Sequence, residues 1–222
     1  MASTSNTEHS FLQFALDAGV LRFGEFTLKS GRVSPYFFNA GLFNSGATLS
    51  TLASFYAAAL HEAEPASFML FGPAYKGIPL AAATATALAN EYTRDIPFAF
   101  NRKEVKDHGE GGQLVGAPLK GNVVIIDDVI TAGTAIREAL AIIRGAGGTP
   151  AGIVVALDRQ EIASESDRRS AAQSVAEEAG IPVIAVASLA DLLDFASGNP
   201  ELVGYRQPLE AYRAQYGVRS TR

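Results

Sequence analysis

Residues 123–140 read VVIIDDVITAGTAIREAL, and this stretch decides the fold. It begins with an apolar run, predicted as a strand over 122–129, which is typical of a strand buried on both faces of a sheet. Two acids, a short loop of small residues and a helical pattern from about Thr134 to Arg144 follow. A buried strand that leads through a tight loop into a helix indicates a parallel α/β sheet. We therefore expect a ligand site beyond the carboxyl end of this strand.

The loop of this stretch has the composition of a phosphate cradle. Gly133 lets the backbone approach an anion closely, and the N-terminus of the next helix offers N–H groups and a favourable dipole. Thr131 and Thr134 add hydroxyl donors. Asp127 and Asp128 would repel a phosphate, so we expect them instead to accept hydrogen bonds from sugar hydroxyls or to contact a metal that those hydroxyls bind. The pattern predicts a ribose 5-phosphate site; the alternative is a simple helix N-cap beside two acids.

The rest of the chain repeats the alternation of strand and helix. Continuous apolar strands between helices predict a mainly parallel sheet covered on both faces. Upstream, an amphipathic helix and a hairpin predict a hood that caps this core. We expect one domain over 1–222, with the hood at about 10–44 and the core at about 45–205. The predicted elements are helices at 10–20, 45–60, 77–91, 165–179 and 189–197, a hairpin at 21–43, strands at 68–72, 97–101, 152–158 and 181–188, and a polar loop at 102–116.

Composition excludes several classes of protein. The chain has 222 residues, 48% of them hydrophobic, and a formal net charge of −5, which suits a folded domain and argues against a nucleic-acid-binding face. It has no Cys and three scattered His, which excludes disulfides, thiolate zinc sites and an HExxH protease. It lacks the P-loop motif and a GxGxxG after a strand. No apolar run of membrane-spanning length and no secretory signal are visible, so we expect a cytoplasmic protein.

The order of apolar strand, two acids and TAGT loop resembles the signature of the type I phosphoribosyltransferases. The resemblance extends from Phe11 to about Tyr205. Within the family, the chain most resembles the members that act on orotate. Four segments support this narrower resemblance: FTLKSGRVSPYFFNAG (26–41) is similar to the hood over the base, FGPAYKGIPLA (71–81) to the pyrophosphate loop, FNRKEVKDHGEGGQLVG (100–116) to the mobile catalytic loop, and ALDRQE (156–161) to the segment that supplies an Arg to orotate.

The resemblance implies a reaction, a metal and an assembly. The reaction is transfer of the 5-phosphoribosyl group from phosphoribosyl pyrophosphate to orotate, which gives orotidine 5'-monophosphate and pyrophosphate. Mg²⁺ would arrive with the substrate and touch Asp127 or Asp128 only through water. Part of the mobile loop would cover the neighbouring subunit's site, so a homodimer is implied. No membrane or nucleic-acid partner is expected.

The resemblance also implies the site residues, position by position. It implies that the Ala74–Tyr75 peptide bond is cis. The expected catalytic residues are Lys103, Lys106, His108 and Asp128. The residues expected to bind phosphoribosyl pyrophosphate are Lys29, Tyr75, Lys76, Arg102, Lys103, Lys106, His108, Asp127, Asp128, Val129, Ile130, Thr131, Ala132, Gly133, Thr134 and Ala135, and those expected to bind orotate are Lys29, Phe37, Phe38, Thr131 and Arg159.

Alternative interpretations stay open at this point. The cation-rich run after residue 101 is also typical of a solvated loop. Phe37 and Phe38 could equally be core aromatics. Arg159 could equally form an ion pair with Glu161. Rival functions are a phosphoribosyltransferase for a purine or uracil, a non-catalytic regulator on the same fold, and an unrelated sugar-phosphate-binding domain. Arg159 favours an acidic base, because a neutral base needs no cation. The basic run favours an enzyme.

Overall fold

The computed structural model describes residues 4–28, 30–63, 67–106, 112–131, 133–163 and 167–218. Short 3-10 turns lie at Ala40–Leu42 and Val203–Tyr205. The helices are α1 (Thr4–Asp17), α2 (Gly46–Glu62), α3 (Gly77–Tyr92), α4 (Thr134–Gly145), α5 (Ala171–Ala179), α6 (Leu189–Gly198) and α7 (Arg206–Tyr216), and the strands are β1 (Leu21–Thr27), β2 (Val33–Phe38), β3 (Met69–Gly72), β4 (Phe98–Lys106), β5 (Gly112–Gly116), β6 (Asn122–Asp127), β7 (Thr149–Asp158) and β8 (Val183–Ser188).

The predicted parallel sheet is confirmed as the centre of the fold. Its strand order is β5-β4-β3-β6-β7-β8, and every neighbouring pair is parallel except β4 with β5. Successive side chains of β6 enter opposite cores: Val123 and Ile125 pack on the side of α4, whereas Val124 and Ile126 pack on the side of α2 and α3. Because both faces of the strand are buried, its sequence is apolar throughout rather than alternating.

The predicted N-terminal helix and hairpin are also confirmed. Strands β1 and β2 pair antiparallel, with Leu21 opposite Phe38 and Thr27 opposite Val33. Phe11 and Leu12 of α1, fully buried, belong to the same hydrophobic cluster as the α2 side of the central sheet. The hairpin turn closes where the Leu28 amide donates to the Arg32 carbonyl at 2.8 Å.

The prediction of a polar loop over 102–116 is wrong in the described part. Strand β4 continues through Arg102 and Lys103 to Lys106, and β5 returns beside it, with Phe100 opposite Val115. This hairpin forms an edge of the sheet. Strands at the edge of a sheet can carry polar side chains because they are partly exposed to solvent. A polar sequence therefore does not exclude a strand at this position. Residues 107–111 lie outside the described residues.

Other predicted boundaries also differ from the structure. Helix α5 begins at Ala171, because Ser170 and Gln173 form a capping box there, with the Gln173 amide donating to Ser170 Oγ at 3.0 Å. The first helix begins at Thr4 and β7 begins at Thr149, both earlier than predicted. Strand β6 ends at Asp127, so Asp128 already belongs to the loop.

Gly72 allows β3 to pass against the start of α3. A Cβ atom at this position would overlap the backbone carbonyl of Gly77. We expect Gly72→Ala to lower the free energy of unfolding by about 2–3 kcal/mol, since neither backbone can yield cheaply. Thermal unfolding measures this loss. Gly198→Ala, at the end of α6 where a Cβ meets open space, is the matched control and should leave the melting temperature nearly unchanged.

Candidate active site

A cavity of about 430 Å³ opens at the carboxyl ends of β3 and β6. Sheets of this type bind ligands at this edge. Three loops or helix starts contribute to it: the segment after β3, the segment after β6 and the first turn of α4. Its lining residues are Pro73, Ala74, Tyr75, Lys76, Asp127, Asp128, Val129, Ile130, Thr131, Gly133, Thr134, Ala135 and Ile136.

The N-terminus of α4 is open toward the cavity. Gly133 is its N-cap with φ of 73°, a left-handed conformation that favours glycine, and no side chain caps the helix. A Cβ there would also lie 2.7 Å from Val175 Cγ2. The first N–H groups of the helix therefore have no side-chain partner in the cap, the condition under which a helix N-terminus can bind an anion. Thr134 and Ala135, the first residues of the helix, are exposed.

Asp127 and Asp128 have different surroundings although they are adjacent. Asp128 is buried, and its Oδ2 accepts a hydrogen bond from Lys76 Nζ, which forms an ion pair across the cavity. The surroundings of Asp127 disfavour its charged form. Burial raises the pKa of Asp127 to about 7, and the charge of the neighbouring Asp128 acts in the same direction. The main-chain oxygen of Asp127 accepts a bond from the Tyr56 hydroxyl at 2.8 Å. Buried Tyr56 thereby fixes the end of β6.

The segment after β3 presents Tyr75 and Lys76 to the cavity. The Ala74–Tyr75 peptide bond is cis, which confirms the expectation from the resemblance. The Ala74 amide donates to Asn101 Oδ1 at 2.9 Å, so β4 fixes this segment from the side. Tyr75 is 66% exposed, and Lys103 Nζ of β4 lies 5.0 Å from its ring centroid. At that distance a cation and an aromatic ring attract each other.

Arg159 follows β7 at the same edge of the sheet. Asp127 of β6 pairs with Val155 of β7, and β7 ends at Asp158, one residue before Arg159. The ion pair that the sequence left open as an alternative is present: Arg159 Nε and Nη2 lie 3.0 and 2.8 Å from Glu161 Oε1. The Arg159 guanidinium also lies 5.3 Å from the Tyr36 ring centroid.

The two aromatic residues predicted for the base face opposite sides of the hairpin. The Phe38 ring packs on the core near Phe11, with the ring centroids 6.3 Å apart. The Phe37 ring lies 5.6 Å from that of Phe26, and the Arg22 guanidinium lies 5.7 Å from the Phe37 centroid. Alternation along β2 accounts for the difference, since adjacent residues of a strand point to opposite faces.

Not every predicted site residue can be placed. Lys29, His108 and Ala132 lie outside the described residues, and of Lys106 only the backbone, as the end of β4, is described. Arg102 lies half-buried on β4. The cavity thus unites Tyr75, Lys76, the two acids and the loop before α4, whereas Arg159 and Phe37 are not among the residues that line it.

Sequence reasoning missed Asn101, Tyr56 and Glu161 as residues that support the site. Asn101 had a signal, since it is the first polar residue after the apolar run of β4 and so falls at the ligand-binding edge. Tyr56 had none, because it reads as one more apolar position of an amphipathic helix. Glu161 was considered only as a partner that would argue against a role for Arg159.

A hard divalent cation fits the donor set of the cavity only in part. Asp127 and Asp128 are carboxylates of the kind that Mg²⁺ prefers, but Asp128 is already paired with Lys76. Within the ranges that the structure describes, no three His, Asp or Glu side chains converge as a metal-binding group. A metal here would need most of its ligands from substrate and water.

Known proteins share both the sequence and the fold of this chain. The family model of the phosphoribosyl transferase domain matches residues 47–181. The chain is 75% identical over 219 residues to an orotate phosphoribosyltransferase of Stenotrophomonas maltophilia, covering 98% of this chain and 100% of the relative. It is 71% identical to one of Xanthomonas campestris, covering 97% and 99%. The crystal structure of the Francisella tularensis orotate phosphoribosyltransferase superposes with a TM-score of 0.84 at 44% identity, over 94% of this chain and 99% of that one.

Fold and site thus define a type I phosphoribosyltransferase, with its parallel sheet and its loop and open helix N-terminus after two acids. At this identity and coverage, the chain belongs to the orotate phosphoribosyltransferase family. The resemblance found in the sequence is confirmed. Within the described ranges, no helix is long and apolar enough to cross a membrane.

Proposed function

We propose that the chain transfers the 5-phosphoribosyl group from phosphoribosyl pyrophosphate to orotate, a step of pyrimidine (UMP) biosynthesis. One observation supports this most: the open N-terminus of α4, the two acids and Lys76 line a single cavity at the ligand-binding edge of the sheet. These groups match in turn a phosphate, the hydroxyls of a ribose and a second phosphate group. Family membership supplies the identity of the substrates.

In this proposal the phosphoribosyl pyrophosphate lies across the cavity. Its 5-phosphate accepts hydrogen bonds from the backbone N–H groups of the loop at residues 129–135. Asp128 and Asp127 accept hydrogen bonds from the ribose hydroxyls. Lys76 and the Tyr75 segment face the pyrophosphate. The Lys76–Asp128 pair keeps both charged groups in place in the ligand-free protein, and substrate binding exchanges this pair for contacts to substrate.

The chemical step breaks the bond between the ribose C1 and a pyrophosphate oxygen, and forms a bond from C1 to a ring nitrogen of orotate, whose N–H proton is lost to the departing pyrophosphate or to water. The bonding electrons leave with pyrophosphate, so positive charge builds up on the ribose and negative charge on the leaving group. Lys103, Lys106 and His108 are assigned to the leaving group, because cations there stabilise the transition state more than the ground state. Lys103 already lies beside the cavity, over Tyr75.

The base is assigned to the hood, residues 10–44, with Lys29, Phe37 and Thr131 around it and Arg159 at its carboxylate. Phe38 contributes only its backbone groups in this proposal, because its ring packs on the core. Arg159 Nε donates to Glu161 Oε1, whereas Nη2, although it lies 2.8 Å from the same oxygen, is buried and has no hydrogen-bond partner among the described residues. In this proposal Nη1 and Nη2 donate together to the orotate carboxylate. The ion pair and the binding role are therefore compatible.

Three further parts of the proposal rest on the resemblance. Mg²⁺ would be held by substrate oxygens, with Asp127 or Asp128 touching it through water, and it would neutralise charge on the pyrophosphate. The chain would work as a homodimer that shares its mobile loop between subunits. The cytoplasmic location stays a prediction from the sequence.

A base-competition assay tests the proposed function. Orotate, uracil and hypoxanthine are offered separately with phosphoribosyl pyrophosphate, with and without Mg²⁺, and consumption of the base is followed by absorbance. We expect turnover of orotate only, and only with Mg²⁺. Turnover of uracil or hypoxanthine in preference to orotate would contradict the proposal.

Arg159→Ala is expected to raise the KM for orotate by about thirtyfold, because two charge-assisted hydrogen bonds to a carboxylate are lost. The KM for phosphoribosyl pyrophosphate should stay within about twofold, since Arg159 does not line its cavity. Steady-state kinetics with each substrate varied in turn gives both values. Arg206→Ala, which removes an exposed Arg paired with Glu210, is the control. Equal increases in both KM values would remove Arg159 from the base site.

A further inference from the structure

A second arginine lies on the far side of Glu161. Arg32, just before β2, has Nη1 at 3.8 Å from Glu161 Oε2, while Arg159 uses Oε1 of the same carboxylate. The three side chains are each more than four-fifths buried, with 19%, 18% and 13% of Arg32, Arg159 and Glu161 exposed. Asp158, the nearest acid in sequence, accepts instead from the amide of Gln160 at 2.9 Å. We call Arg32, Glu161 and Arg159 the arginine–glutamate triad.

The triad has one positive charge in excess. Two guanidiniums face one carboxylate, and the neutral hydroxyl of Tyr36 also donates to Glu161 Oε1, at 3.3 Å. Burial raises the pKa of Tyr36 well above its usual value, so this hydroxyl stays neutral and adds no negative charge. Within the described part of the chain, the ion pairs of Arg32 and Arg159 are both with Glu161, and a mostly buried charge without a counter-ion is costly. The cluster is therefore suited to a ligand with one negative charge.

The triad is held rigidly by three elements. The Arg32 guanidinium lies 4.8 Å from the ring centroid of Tyr216 on α7, and its Nη2 donates to the Ile162 carbonyl at 3.0 Å. The Ile162 amide donates to the Tyr216 carbonyl at 2.8 Å. The segment that holds Arg159 and Glu161 is thus clamped between the hood and the C-terminal helix, and Glu161 is fixed relative to both.

Resting on the proposed function, we infer that Arg32 and Glu161 are positioning and specificity-determining residues for the base. Glu161 fixes one edge of the Arg159 guanidinium and so directs the other edge at the ligand. Arg32 offsets the charge of Glu161, which would otherwise neutralise Arg159 and weaken its attraction for a carboxylate. Neither residue needs to touch the base. The pair makes the site select a base that bears a carboxylate.

Charge-changing and charge-keeping variants of Arg32 test the inference. We expect Arg32→Gln to raise the KM for orotate about tenfold, and to leave the KM for phosphoribosyl pyrophosphate within about twofold. Arg32→Lys keeps the positive charge, so its KM for orotate should lie within about threefold of that of the unmodified protein. The recovery is incomplete because a lysine cannot both stack on Tyr216 and bond to Ile162. A purely structural role predicts failure of both variants. Arg206→Gln, at an exposed ion pair, is the matched control.

Glu161 provides an independent arm of the test if Arg32→Gln does not fold. Glu161→Ala removes the anchor and should raise the orotate KM about tenfold, whereas Glu161→Gln keeps an acceptor for Arg159 and should stay within about threefold. Unchanged orotate KM values in Arg32→Gln and Glu161→Ala would overturn the inference, as would parallel increases for both substrates. If the unmodified protein itself does not consume orotate, the proposed function fails instead, so the two failures are distinguishable.

Discussion

Lys103→Ala is expected to lower kcat by about 10²- to 10³-fold, the usual loss when one group that stabilises developing charge is removed. Lys103 is exposed on β4, and its Nζ is attracted to the Tyr75 ring at the mouth of the cavity. The reaction places new negative charge on the departing pyrophosphate, which the proposal locates beside Tyr75 and Lys76. Because this charge is absent from bound substrate, the KM for phosphoribosyl pyrophosphate should change by less than about threefold. Single-turnover kinetics separates the chemical step from product release.

Lys120→Ala is the matched control for this prediction. Lys120 is an exposed lysine in the turn before β6, outside the residues that line the cavity. Its removal changes the net charge by the same amount and should leave kcat unchanged. If Lys103→Ala turned over as fast as Lys120→Ala, Lys103 would have no catalytic role. A higher KM for phosphoribosyl pyrophosphate at unchanged kcat would make it a substrate-binding residue only.

The central sheet and the phosphate loop could be predicted from the sequence because their signals are local. The apolar run of β6 indicates burial on both faces, and the two acids, the Thr-Ala-Gly-Thr loop and the helix follow it within a few residues. The position of Gly133 likewise follows from the conformation that its turn needs. In such a segment, each local preference agrees with the global fold.

The parts that could not be predicted depend on distant contacts. Arg32 and Glu161 are far apart in sequence, and only the packing of the hairpin on the segment after β7 brings them together. The β4–β5 hairpin was missed because its residues are polar, and its pairing is decided by a free sheet edge rather than by hydrophobic pattern. From the sequence, Arg159 could be interpreted either as a ligand-binding residue or as an ion-pair partner. A guanidinium has several N–H donors, so it can form an ion pair and bind a ligand at the same time.

Asp128→Asn is expected to lower kcat/KM for phosphoribosyl pyrophosphate by about 10²- to 10³-fold, since the change both weakens contacts to the ribose and misplaces Lys76. The buried Asp128 carboxylate is the ion-pair partner of Lys76, and an amide in its place leaves the ammonium without its counter-charge. Steady-state kinetics at varied phosphoribosyl pyrophosphate measures the loss. Asp194→Asn, at an exposed position of α6, is the control and should retain full activity. A loss that appeared only in the KM for orotate would contradict the role of Asp128.

The two variants together test whether the loop is shared between subunits. Lys103→Ala and Asp128→Asn are each nearly inactive in this proposal, and mixing them under conditions of subunit exchange produces hybrid dimers. If Lys103 acts in the partner's site, one site of each hybrid contains both changes and the other contains neither. About a quarter of the full activity should then return, because random exchange makes half of the dimers hybrid and half of their sites intact. If Lys103 instead acts on the cavity of its own chain, where its Nζ faces Tyr75, every site keeps one lesion and no activity returns.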